Sequence, residues 1–410
     1  MEQQILSGFV ITSAHPEGDL LFSGEKANFL SIRESSNGDI SSRQRSEAAA
    51  ESLWLAQCDM GARFGRIPSL DGLRAFSILL VMLMHLGVTF IPGSFGVLVF
   101  FAISGFLITR LLFAELKQSR SVNLKRFYAR RILRLYPIVM IYTLLSITVF
   151  LTYGLSITWI EPLSALFYFT NYLYADPNFG GAMPFAIFWS LSVEEHFYLF
   201  FPIIFVLVAG NVGRLTVVIL SVCFICPLLR LVVSHLHPEL LHSVYFYYRS
   251  EFRLDSISYG VMLAVACESE TGRSVIRSLL HPISAIAAIF LILATFVIRG
   301  SWFHETLRYS MQSIGATMLL AALLFSDKYR PLQVVLNFGP IRWIGVLSYS
   351  LYVWHWVVPL VVEELLPGLS TVPKAVIKFV FCIIVAAVSY YAIERPFMKV
   401  RHKFGSRARE

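Results

Sequence analysis

The sequence predicts an all-α protein, a polytopic integral-membrane bundle of about ten transmembrane helices with one short re-entrant or interfacial segment. Composition comes first: of 410 residues, 56% are hydrophobic and only 15% charged, against about 25% charge in soluble domains. Such a chain cannot cover a water-facing surface. Second, runs such as Phe76–Met84, Ile138–Phe150 and Ile283–Val297 need a solvent as apolar as themselves. Third, basic residues crowd the ends of the apolar segments, as they do on cytoplasmic loops. Disorder, a disulfide scaffold and an ordinary cytosolic enzyme are excluded. The net charge of +8 therefore reads as a topology signal, with no nucleic-acid partner.

Residues 1–66 are polar and Ser-rich around 31–46, with no basic stretch leading into an apolar core, so they are not a secretory signal. They read as a disordered cytoplasmic leader, with a short helix near 47–56. The membrane domain is expected over 67–398 and a basic cytoplasmic tail over 399–410.

Eleven apolar segments follow, near 72–91, 95–115, 135–153, 160–174, 187–209, 215–235, 253–268, 281–299, 308–325, 343–365 and 373–394. A spanning helix needs about 20 residues. The segment 160–174 falls short and is read as re-entrant, and 253–268 is a short span. Ten spans then put both termini in the cytosol. The loop Lys117–Arg134, with seven Lys/Arg and no acid, falls on the same side as the tail. This orientation suits a multi-pass membrane protein with both termini cytoplasmic.

Ionisable groups inside a membrane cost roughly 2.5–3.5 kcal/mol each or more, which makes them functional candidates. The first segment carries two, Arg74 and His85. Eleven residues apart on a helix, they lie about 20° apart around the axis and roughly 16 Å apart along it. Arg74 sits at the cytoplasmic entry and His85 at depth, towards the outer half. That geometry holds an anion at the mouth and does chemistry further in. A neutral imidazole is the form that a general base requires.

The stretch 126–137 opens the third segment with Arg131 and Arg134 on one helix face. Paired guanidiniums suit phosphate, which arginine grips in a fork. They also serve as a positive-inside anchor. Residues 189–198 place Glu194, Glu195 and His196 at the start of an apolar helix. There an acid can orient or charge-stabilise an imidazole, or simply favour the helix dipole.

Lesser candidates are Arg253 and Asp255, as an ion pair at the outer face or as lining of an acceptor pocket, and the hydroxyls, indoles and His355 of 348–356, which read as an interfacial aromatic belt or a platform for sugars. His235, His237, His242 and His304 read as solvated loop residues. The five cysteines, Cys58, Cys223, Cys226, Cys267 and Cys382, form no framework. The C-x-x-C of Cys223 and Cys226 lies in an apolar helix and reads as packing. No grouping has metal-ligand spacing, so no metal is expected.

Five motifs stand in order: Arg74-x10-His85, Phe101-Ala-Ile-Ser104-Gly105-Phe106, Arg131-x-x-Arg134 before Pro137, Trp189-Ser-Leu-Ser-Val-Glu-Glu195-His-Phe-Tyr198, and Glu394-Arg395-Pro396. Together they resemble membrane acyltransferase family 3, the bacterial O-acetyltransferases of lipopolysaccharide, exopolysaccharide and nodulation factors. The resemblance covers about 67–398, and His196 departs from it where many members carry Gln. It implies acetyl-CoA or another acyl-CoA as cytoplasmic donor and a glycan or glycolipid hydroxyl as acceptor. By the same resemblance His85 is the catalytic histidine, Glu195 or Glu194 supports it, and Arg74, Arg131 and Arg134 bind the donor or brace the fold. The extra esterase-like domain that many members carry after the membrane part is expected to be absent.

The residues alone agree with that picture. Coenzyme A is a polyanion on a long arm, arginines suit its phosphates, and an apolar tunnel spares its thioester from water. His85 either deprotonates the acceptor hydroxyl or takes the acyl group first. Two rivals stand: a proton-coupled transporter of an anionic solute using the same residues, and a catalytically silent partner that presents substrate. No internal repeat relates 72–235 to 253–394, which weighs against the transporter.

Overall fold

The computed structural model describes residues 67–401, apart from 68, 89, 155 and 182. The expected leader with its short helix, and the tail beyond 401, lie outside the described residues. Every regular element among the described residues is a helix, with no strand among them.

The elements that build the site are α1 (Leu70–His85), α2 (Gly93–Ser119), α3 (Leu124–Thr152), α4 (Trp189–Leu207), α5 (Val212–Leu236), α6 (Leu254–Ala266), α7 (Pro282–Val297), α8 (Arg308–Phe325), α9 (Gly339–Val346), α10 (Ser348–Trp354) and α11 (Thr371–Ser389). Two starts are capped as their sequence dictates. The side chains of Asn123 and Asn211 accept from the backbone N–H of Arg126 and Arg214, at 3.0 and 2.9 Å, which satisfies donors that the first turn leaves open.

α2 is the central post. It packs against α1 on one side and α6 on another, and 78% of its apolar window is buried, against 17% for α5 and for Thr371–Val400. The outward faces of these last two carry exposed Val217, Leu220, Phe224, Ile384 and Val388, a surface that only lipid satisfies. The α2–α6 contact is built on two glycines. A Cβ on Gly105 would stand 2.1 Å from the Ile257 carbonyl oxygen, and one on Gly260 would stand 2.0 Å from that of Ala102. Small residues let backbones close this tightly where lipid supplies no hydrophobic drive.

The start of α1 is pinned from the far end of the chain. Asn337 accepts from Ser69 N–H at 2.9 Å and donates to Ser69 Oγ at 3.1 Å, and α9 packs along the same helix.

The expected ten spans are not matched helix for helix. Among the described residues five helices are long and apolar enough to cross a membrane, or seven when two bent pairs each count as one span. The first segment is a helix of only 16 residues that stops at His85. The segment 253–268 is a 13-residue helix, and 343–365 breaks into α9, α10 and Val357–Leu365. Hydropathy cannot see these breaks, because broken backbone is tolerated at membrane depth wherever it is buried in protein or lines a cavity. The break after α10 does line one, through His355 and Trp356. Residues 160–174 form two helices of seven and four residues, both too short to span.

Candidate active site

Two cavities lie along α1. The larger, about 530 Å³, takes Arg74 from α1, Ser104 from α2, Arg131 and Arg134 from α3, and Glu194 and Tyr198 from α4. The smaller, about 120 Å³, takes His85 from the end of α1, Trp189 from α4, Tyr247 and Tyr248, and His355 and Trp356 from the break after α10. Val97 and Tyr352 line both. The hydroxyl of Tyr352 donates to the Ile187 carbonyl at 2.9 Å and lies 2.5 Å from Ser190 Oγ. Since the tyrosine proton is already committed, Ser190 is the donor in that contact. The partition between the cavities is thereby held by hydrogen bonds as well as packing.

The arginines of the larger cavity differ in their partners. Arg110 is tied to Glu268 at 2.7 Å and Arg130 to Glu115 at 3.0 Å. Arg131 instead sits over Tyr198, 3.8 Å from the ring centroid, a cation–π contact. Its charge and that of Arg74 both act on Glu194, whose carboxylate accepts from Ser104 Oγ at 2.9 Å and more weakly from Tyr198 at 3.4 Å.

The two adjacent acids part company because consecutive helix residues point about 100° apart. Glu194 faces the larger cavity, whereas Glu195 lines neither cavity and lies in the field of Arg131 and Arg134. His196 turns to Ser250, with its Nδ1 2.7 Å from Oγ.

His85 meets a partner that the sequence did not pair with it. Its Nδ1 lies 3.0 Å from Nε2 of His355, and its ring stands edge-on to Trp356 with centroids 5.0 Å apart. The only signal for this was a histidine inside an apolar stretch, and 270 residues separate the two. Two further cavity residues went unassigned. Glu394, carried on the π turn Tyr390–Glu394, lines the larger cavity and accepts from Ser350 Oγ. Tyr352 lines both cavities.

The expected Arg253–Asp255 pair is replaced. Asp255 is held by Arg230 instead, Nη2 to Oδ2 at 2.8 Å, and by Ser310 Oγ at 2.6 Å. Arg230 sits in the last third of α5 and met the same criterion of an ionisable group in an apolar run. The guanidinium of Arg253 is enclosed by aromatic rings, 4.0 Å from the Tyr309 centroid, with no hydrogen-bond partner on its three nitrogens. Among the described residues the four cysteines are free, and no group of three or more His, Cys, Asp or Glu has metal-binding geometry.

Residues 67–391 match the acyltransferase domain of family 3. The chain is 30% identical over 354 residues to O-acetyltransferase OatA of Staphylococcus aureus strain NCTC 8325, an alignment covering 81% of this chain and 57% of that relative. OatA of strain COL gives the same figures. The chain thus spans little more than half the length of the curated relatives it matches. No solved structure matches.

Proposed function

The chain belongs to acyltransferase family 3, and on that footing we propose that it is an integral-membrane O-acetyltransferase. It moves an acetyl or other short acyl group from acyl-CoA in the cytoplasm to a hydroxyl of a cell-surface or exported glycan or glycolipid. The observation that supports this most is that one helix serves two adjoining cavities. α1 presents Arg74 to the larger and His85 to the smaller, and Val97 and Tyr352 wall both.

The chemistry follows from that division. The nucleotide phosphates of the donor rest among Arg74, Arg131 and Arg134, where charge-assisted hydrogen bonds are strongest. The arm runs past Tyr352 and delivers the thioester carbonyl beside His85. An acceptor hydroxyl enters the smaller cavity between Trp189, Tyr248 and Trp356, aromatic faces that suit the C–H side of a sugar. His85 takes the hydroxyl proton, the alkoxide attacks the thioester carbon, and the C–S bond breaks. The thiolate then recovers the proton from His85, leaving free CoA and the ester. Transfer through an N-acyl histidine uses the same atoms in two steps. Glu194 holds the field of the arginines at the point where donor charge ends.

The membrane domain covers 67–398 and crosses a bacterial inner membrane ten times with both termini cytoplasmic, the broken helices counting as passes. The test is transfer from radiolabelled acetyl-CoA to a glycan fraction in membranes, comparing wild type with His85→Ala at equal expression. Label reaching glycan with wild type alone is the expected result. Equal labelling by both proteins removes His85 from the mechanism.

A further inference from the structure

His355 is 3% exposed and sits where the chain leaves α10. Its Nδ1 lies 2.5 Å from the carbonyl oxygen of Tyr352. A carbonyl can only accept, so Nδ1 carries the proton. In a neutral ring Nε2 is then a lone pair, and that lone pair faces His85 Nδ1 at 3.0 Å. Two lone pairs do not share such a distance, so His85 Nδ1 is the donor.

One neutral arrangement satisfies both contacts: the Tyr352 carbonyl accepts from His355 Nδ1–H, and His355 Nε2 accepts from His85 Nδ1–H. No carboxylate is hydrogen-bonded to either ring among the described residues. The arrangement leaves Nε2 of His85 as the unshared lone pair, on the side of the ring away from His355.

We propose that His355 is the positioning residue of this reaction, holding His85 in the Nδ1–H tautomer so that His85 Nε2 is the atom that receives the acceptor's proton or the acyl group. The proposal rests on the acyltransferase reading. In the transfer step the hydroxyl O–H breaks and an N–H forms at Nε2, while Nδ1–H keeps donating to His355. The charge that develops on His85 is therefore met by a neutral imidazole backed by a peptide carbonyl. Neither Glu194 nor Glu195 has to reach the ring.

The test compares His355→Gln with His355→Leu in purified, detergent-solubilised full-length protein. A glutamine amide oxygen sits near the place of Nε2 and accepts, whereas leucine fills the space and cannot. Loss of tautomer control costs about 10²–10⁴-fold in turnover. The expected result is a kcat at least about a hundredfold down for His355→Leu, with KM for acyl-CoA unchanged. His355→Gln should recover to within about tenfold of wild type. Equal loss in both variants with CoA binding intact overturns the proposal, as does full turnover by His355→Leu. Loss of CoA binding in both would make His355 a fold residue and overturn it as well.

Solid-state ¹⁵N NMR of histidine-labelled protein reads the same point without turnover. The His85 resonances, identified by their absence in His85→Ala, should report Nδ1–H in wild type and in His355→Gln, and lose that form in His355→Leu. An Nε2–H tautomer in wild type sinks the proposal outright. An inactive wild type that shows the Nδ1–H tautomer would instead count against the acyltransferase reading alone.

Discussion

Arg230 and Asp255 face each other 2.8 Å apart with neither side chain exposed to any degree. Arg230 Nε also donates to the Thr306 carbonyl, and Asp255 accepts from Ser310, so one buried charge pair ties α5, α6 and α8 together. Removing one partner of such a pair strands the other and costs about 3–5 kcal/mol. Asp255→Ala should therefore lower the thermal unfolding midpoint in detergent sharply. The double variant Arg230→Met with Asp255→Leu should recover part of the loss. A double variant as unstable as the single one would mean that the backbone contacts of Arg230, rather than the pair, hold the three helices.

Gly105 and Gly260 give a second stability prediction, free of charge effects. A single methyl at Gly105 meets a backbone oxygen, not a side-chain tip, so nothing can rotate aside. Gly105→Ala should cost about 1–3 kcal/mol, seen as earlier unfolding in the same assay. A wild-type midpoint would show that α2 and α6 can part by the width of a methyl group.

Arg131 is the arginine whose proposed donor-binding role is most cleanly tested, since its guanidinium sits over the Tyr198 ring. Arg131→Ala should raise KM for acyl-CoA about ten- to a hundredfold, with kcat much less changed, and the effect should shrink as salt rises. Lysine should rescue poorly, because a point charge can neither stack on Tyr198 nor fork onto a phosphate. A change in kcat alone would place Arg131 in the chemistry.

The two neighbouring acids are predicted to separate. Glu194 faces the larger cavity and is held by Ser104, and Glu195 lines neither cavity. Glu194→Gln should depress acyl transfer about a hundredfold, while Glu195→Gln should stay within about tenfold of wild type. Single-turnover assays on matched protein amounts decide it, and the reverse order would return Glu195 to the leading place that the motif suggested.

Much was legible before any coordinates. The apolar excess and the basic loop identified a membrane bundle, because no other solvent tolerates that composition. The arginine and histidine of α1 stood out as ionisable groups in an apolar run, and the helical repeat put them on one face without further information. The five ordered motifs pointed to the family that residues 67–391 match.

The ten expected spans and the helices do not match one for one, and the reason is physical. A hydropathy window measures composition, and 343–365 has the composition of a span. Its breaks at 347 and at 355–356 depend on which neighbours accept the freed backbone groups. The Arg253–Asp255 pairing failed in the same way. Two charges two residues apart look like partners, but on a helix start they diverge, and Asp255 finds Arg230, 25 positions upstream.

The sequence by itself determined the solvent, the fold class and the types of group available, because those depend on local composition and on the periodicity of the helix. Tertiary structure alone decided the partners: His355 for His85, Arg230 for Asp255, the cavity for Glu194 and not for Glu195. Partnership depends on distances between helices far apart in the chain. Those distances are set by glycine contacts and buried hydrogen bonds that no single segment contains.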